Sequence, residues 1–132
     1  MILVLTLQLA DAATADKTYD VAVPSGEWRL ESATFIPDSD GAAATDAGEY
    51  RTITVKQGST ALAACTTNSS GGAAFVANAA TAMTVSGGKS REFTGGTDTI
   101  TVASVHTGAT SKVAKGVVCL VIKKMQATAY PS

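Results

Sequence analysis

The chain has 132 residues and a mass of 13.3 kDa, enough for one domain that buries roughly two-thirds of its unfolded surface. Ten basic residues against eleven acidic ones leave a net charge of −1, which excludes the basic footprint of a nucleic-acid binder and argues against an anionic-membrane binder or an acidic disordered tail. Ala, Gly, Ser and Thr fill 66 positions, whereas Leu, Ile and Val fill 24, beside one Trp, three Tyr and three Phe, so any core is thin.

The first ten residues form an apolar run that ends in Ala10-Asp11-Ala12, superficially like a signal peptide with its cleavage site. No positive charge precedes the run, and Thr6 and Gln8 interrupt it. Leu3, Leu5, Leu7 and Leu9 alternate with Val4, Thr6 and Gln8, which is the period of a strand with a leucine face. No stretch approaches the ~20 apolar residues of a membrane-spanning helix.

Strand patterns then recur. Residues 18–24 alternate Tyr19, Val21 and Val23 against Asp20 and Ala22, and Ser25-Gly26 is a turn. Residues 27–36 carry Trp28, Leu30, Phe35 and Ile36, and Pro37 ends them. Residues 38–48, rich in Asp, Ala and Gly, read as a long loop. Residues 49–56 set Ile53 and Val55 against Thr52 and Thr54, Gln57-Gly58-Ser59 makes a hairpin turn, and residues 60–67 return with Leu62 and Cys65.

After a loop at 68–72, residues 75–85 are rich in alanine, which suits a helix. Flanking glycine pairs and Val76, Thr81, Thr84 and Val85 favour an extended chain instead. Residues 89–94 read as a short strand around Phe93, Gly95-Gly96 turns, and residues 98–106 alternate Ile100 and Val102 against Thr99 and Thr101. Residues 107–115 are a polar loop. Residues 116–125 contain six successive apolar residues from Val117 to Ile122, expected for a central strand buried on both faces. A tail at 126–132 carries Tyr130 and is a candidate arm.

Eight or nine short strands, with turn signals every ~8–12 residues and no major helix, predict an all-β, antiparallel β-sandwich of jelly-roll-like type. The predicted inner faces carry Leu5, Leu7, Val21, Val23, Leu30, Phe35, Ile53, Val55, Leu62, Val102, Cys119 and Val121. One domain spans 1–132, with an N-terminal arm or edge strand at 1–10 and the C-terminal tail at 126–132.

Little in the sequence points to chemistry. Cys65 and Cys119 lie 54 residues apart in apolar stretches and read as two buried thiols, or as a disulfide only where their strands face each other at bonding distance. Asp38, Asp40, Asp46 and Glu49 share one loop that opens like a calcium site, but the third loop ligand and the closing Glu are missing, so a solvated loop is expected. His106 is the sole imidazole, with neither a second His nor a neighbouring nucleophile, and reads as a strand-end surface residue. The pairs Asp16/Asp20 and Glu27/Glu31 read as solubilising charges rather than the two carboxylates of a glycosidase cleft. Asn68-Ser69-Ser70 is a glycosylation sequon of the kind that occurs by chance, and the Gly-Gly pairs at 71, 87 and 95 are turn chemistry without a phosphate-binding context. No catalytic residue, cofactor site or metal site is predicted.

The run Val-Pro-Ser-Gly-Glu-Trp-Arg-Leu-Glu-Ser-Ala-Thr-Phe-Ile-Pro-Asp at 23–38, the hairpin pattern at 50–63 and the Gly-Val-Val-Cys-Leu-Val-Ile strand at 116–122 together resemble small β-sandwich virion proteins of tailed bacteriophages. The likeness covers residues 19–124 and lies in pattern and composition. It implies a capsid decoration (cement) protein, or a related head-fibre or minor structural protein, placed on the capsid exterior and made in the host cytoplasm. Its implied partners are the major capsid protein and further copies of itself, with a homotrimer expected at three-fold or quasi-three-fold positions, and no nucleic acid or membrane. It carries over no catalytic residues. The expected contact residues are Leu3, Leu5, Leu7 and Leu9 of the first strand and Tyr130 of the tail, segments free to add to a neighbour's sheet. The alternatives are an adhesion or carbohydrate-binding module of a fibre or tail, which needs Trp28, Tyr19, Tyr50 or Tyr130 on one exposed face, or another minor virion component.

Overall fold

A computed structural model describes residues 1–9, 16–38, 50–66, 78–107 and 115–125. They form ten strands: β1 (Ile2–Leu9), β2 (Lys17–Val21), β3 (Gly26–Pro37), β4 (Tyr50–Gln57), β5 (Thr60–Thr66), β6 (Thr81–Ala82), β7 (Thr84–Val85), β8 (Glu92–Gly95), β9 (Ile100–Thr107) and β10 (Gly116–Lys124). All pairings are antiparallel. One sheet runs β1-β10-β3, with β6 and β8 both paired to the far side of β3, and the other runs β2-β9-β4-β5-β7. The predicted all-β sandwich is therefore the fold. With β6 and β8 taken as one interrupted edge strand, successive strands alternate between the sheets except at the β4–β5 hairpin, which is jelly-roll connectivity.

The interruption closes one side of the sandwich. The chain pairs with β3 through β6, crosses to pair with β5 through β7, and returns to β3 through β8. At the crossing, Met83 is buried and its N–H donates to Ala33 O at 2.9 Å, while Ser86 N–H donates to Leu62 O at 2.8 Å. The strand expected around Phe93 is present as β8 but starts at Glu92, and a 3-10 turn, Gly88–Arg91, takes the place of its first residues. Gly88 at φ 59° starts that turn in a conformation glycine adopts without a Cβ penalty.

The core lies between the sheets. Trp28, Leu30, Phe35, Leu9, Val118, Leu120 and Ile122 come from one sheet, and Ile53, Val55, Leu62, Ile100 and Val102 from the other. Trp28 fills one end, its indole Nε1 donating to Pro24 O at 2.9 Å. Gly95 is required there, because a Cβ would stand 1.9 Å from the same Pro24 oxygen. Next to it, Asp98 Oδ2 accepts from Thr94 N–H at 2.7 Å and from Gln57 Nε2 at 2.8 Å, tying the β8–β9 crossing to the end of β4.

Leu30 and Phe35 both point inward although they stand five positions apart, an odd spacing that a regular strand sends to opposite faces. A register shift at Val121/Ile122 resolves this: Val121 faces Ser32 while Ile122 faces Leu30, so β3 has one extra residue, and Glu31 and Ser32 both sit outside the buried set.

Two predicted core positions are corrected. In β10, Val118, Leu120 and Ile122 are buried, whereas Cys119 and Val121 lie on the opposite face. Beta10 is central in its sheet as expected, but only one of its faces meets the core. Leu3, Leu5 and Leu7 of β1 sit opposite Ile122, Leu120 and Val118, so leucine pairing fixes the parity of β10. Leu120→Ala is expected to cost about 2–5 kcal/mol and Val121→Ala about 1 kcal/mol or less, measured by urea unfolding. The opposite ranking contradicts this parity.

Candidate interaction surface

Period-two alternation gives each sheet one face for the core and one for solvent, and the two solvent faces differ in chemistry. On the β2–β9–β4–β5–β7 sheet, one row across the strands reads Thr18, Ala103, Thr54, Ala64 and Thr84. The next row places Val105, Thr52 and Thr66 side by side, with the Thr52 and Thr66 hydroxyl oxygens 3.2 Å apart. This face is mostly threonine and alanine, with Val105 40% exposed among them.

The outward face of the β1–β10–β3 sheet is uncharged, with aliphatic residues interspersed among small polar ones. Its rows are Gln8, Val117 and Ile36; then Thr6, Cys119 and Thr34; then Val4, Val121 and Ser32. Ile2 and Val4 are 64% and 59% exposed, while Val117, Cys119, Val121 and Ile36 are half-buried by their neighbours. The three rows contain no charged residue. Charge appears only beyond them, where Ile2 faces Lys123 and Lys123 faces Arg29.

That end holds an open cleft of about 450 Å³, lined by Met1, Arg29, Lys123, Lys124 and Met125. Arg29 is not free: its Nη2 and Nε donate to Glu31 Oε1 at 2.7 and 3.0 Å. That hydrogen bond, with the guanidinium charge, holds the part-exposed Glu31 carboxyl below its usual range. Lys124 Nζ lies 5.8 Å from the Trp28 ring centre.

The leucines expected to make contacts are shared with the core. Leu9 is fully enclosed, and Leu3, Leu5 and Leu7 are half-buried against the core cluster, so β1 turns Ile2, Val4, Thr6 and Gln8 outward instead. The sequence marked the strand but put emphasis on its leucines; the complementary signal was the parity of Ile2 and Val4. Tyr130 lies outside the described residues, as do Asp40, Asp46, Glu49, Asn68 and Gly71. Asp38 is exposed, and its N–H donates to Lys115 O at 2.8 Å. His106 lies in β9 opposite Arg51. Among the described residues, no three His, Cys, Asp or Glu form a group that could hold a metal ion, and no helix is long and apolar enough to cross a membrane.

Neither Trp28 nor Tyr19 offers a stacking platform for a sugar: Trp28 is 1% exposed and Tyr19 is half-buried against the core. The two thiols are free and belong to different sheets, Cys65 packing against the core from β5 and Cys119 lying on the outward face of β10. The disulfide alternative therefore does not form. No protein-family model, curated protein or solved structure matches the chain.

Burial raises the Cys65 thiol from its usual 9.0 to about 12. A thiol kept neutral by folding stabilises the native state fully below the unfolded value and loses that contribution as pH rises toward the folded one. The urea midpoint of the wild type is expected to fall between pH 9.0 and 12 relative to that of Cys65→Ala, which lacks this titration. Parallel midpoints across that window contradict the burial argument.

Proposed function

We propose that the chain is a non-enzymatic structural protein of a tailed-bacteriophage virion, a decoration protein that binds the outside of the head shell. The observation that carries this reading is the uncharged outward face of the β1–β10–β3 sheet, where Ile2, Val4, Val117, Val121 and Ile36 gather, set on a jelly roll whose other face is mostly threonine and alanine. A cement protein needs a rigid body with one adhesive side, and a sheet face provides one without loop rearrangement. Near-zero net charge permits dense packing of copies, and it makes shape and apolar area, rather than salt bridges, the basis of shell contact. The resemblance to phage virion proteins read from the sequence over residues 19–124 points the same way. The partner is then the major capsid protein, and the location is the capsid exterior.

Binding to undecorated head shells tests this, with variants checked for folding by circular dichroism. Val117→Glu and Val121→Glu place a carboxylate in the uncharged rows and are expected to weaken binding by at least about tenfold. Thr54→Glu on the threonine and alanine face is expected to change it less than about twofold. Equal loss from both faces, or from neither, contradicts the assignment.

A further inference from the structure

We propose that β1 is a self-association edge: two copies of this chain pair their β1 strands antiparallel about a two-fold axis, joining their β1–β10–β3 sheets into one. This inference concerns the sheet edge and stands independently of shell binding by the face.

The four ends of the two sheets are not treated alike. An exposed edge strand presents unpaired N–H and C=O groups, and proteins blunt such edges with charges, prolines, bulges or short strands. Beta2 is five residues long, carries Lys17 and Asp20, and is followed by Pro24. Beta6 and β7 are two residues each and β8 is four. Beta1 is eight residues long, contains no charge, proline or glycine, and keeps an unbroken register with β10. It is the one long, unguarded edge among the described residues.

Its backbone groups can be assigned by parity. Lys124 N–H donates to Met1 O at 2.9 Å, so Met1 and Lys124 form a hydrogen-bonded pair just beyond the β1–β10 register. Hydrogen-bonded and non-hydrogen-bonded pairs alternate along an antiparallel ladder. Leu3, Leu5, Leu7 and Leu9 therefore turn their N–H and C=O groups toward β10, and Ile2, Val4, Thr6 and Gln8 turn theirs to the open edge. A two-fold axis at Leu5 places Ile2 opposite the partner's Gln8 and Val4 opposite the partner's Thr6. All four open-edge residues are then paired in both copies, leucines continue the leucine face, and no charges meet. A ring built from this edge would need a different receiving edge on each neighbour, and the described alternatives are short or charged.

The area sets the strength. Eight residues at ~3.3 Å each give an edge roughly 26 Å long and, at the ~10 Å depth of a sheet layer, roughly 260 Å² per copy. The total falls below the ~1,200 Å² of a standing dimer. The contact is therefore weak in isolation and fills when copies are held side by side at high effective concentration.

Sedimentation equilibrium from about 10 µM to about 1 mM, with amide exchange followed by NMR at both limits, tests the inference. The expected result is a monomer–dimer equilibrium in which the Val4 and Thr6 amides gain protection with concentration, while those of Leu3, Leu5 and Leu7 are protected throughout. Thr6→Pro removes an open-edge N–H without touching the β10 ladder, and Thr6→Lys keeps the backbone while charging the edge. Each is expected to weaken dimerisation by at least about tenfold, with Thr6→Lys deciding the matter where the proline variant does not fold. Val121→Glu, on the face rather than the edge, is expected to leave dimerisation within about twofold. A monomer at every concentration, a trimer, an unweakened Thr6→Lys dimer, or association without protection of Val4 and Thr6 overturns the proposal.

Discussion

The ladder in which β10 lies between β1 and β3 governs the rest of the molecule. It joins the first, third and last strands of the jelly roll, and its register determines which apolar residues are core. A one-residue slip would turn Val118, Leu120 and Ile122 out and bring Val117, Cys119 and Val121 in. Two constraints oppose it. The leucines of β1 line one side, and Gly116 fixes the start of the strand: a Cβ there would lie 2.2 Å from Ile36 O, so only glycine brings the backbones of β10 and β3 this close.

The bulge in β3 is a consequence of the same ladder. Trp28 and Leu30 belong to one parity, and Ala33 and Phe35 to the other, yet all four are buried. One extra residue reconciles them and places Glu31 on the surface, where Arg29 holds it. Apolar burial is worth roughly 1.5–3 kcal/mol for each large side chain, so enclosing both groups outweighs a local break in the ladder. In a thin core, no large side chain is redundant.

The same economy accounts for the contrast between the surfaces. Threonine and alanine on the β2–β9–β4–β5–β7 sheet satisfy a wet face, as the Thr52–Thr66 pair illustrates. The outward face of β10 itself carries Val117, Cys119 and Val121, between Thr6, Gln8, Ser32 and Thr34 on its neighbours, although water wets it in an isolated chain. Valines on a solvated strand add little to the stability of a monomer. They are suited to a face that meets a protein surface, and an unguarded first strand is suited to a neighbour's edge.

The sequence by itself determined the class of the protein. Alternating runs at regular spacing, broken by Gly, Pro and Asp turns, permit a two-layer antiparallel sandwich, and the parities of Ile53 and Val55 and of Ile100 and Val102 were legible because threonines alternate with them. Parity within residues 117–122 was not legible: six apolar residues in succession carry no period, and only pairing with the leucines of β1 decides their faces. The β3 bulge was concealed for a related reason, since an extra residue shows as a conflict between Leu30 and Phe35 until a partner strand defines the register. The 3-10 turn at Gly88–Arg91 and the crossing at Met83 depend on contacts with β3 and β5, far away in sequence. Of the candidate surface, the sequence marked the first strand, but tertiary structure decided which residues it turns outward, because a strand has two faces and only the opposing sheet determines which one is the core.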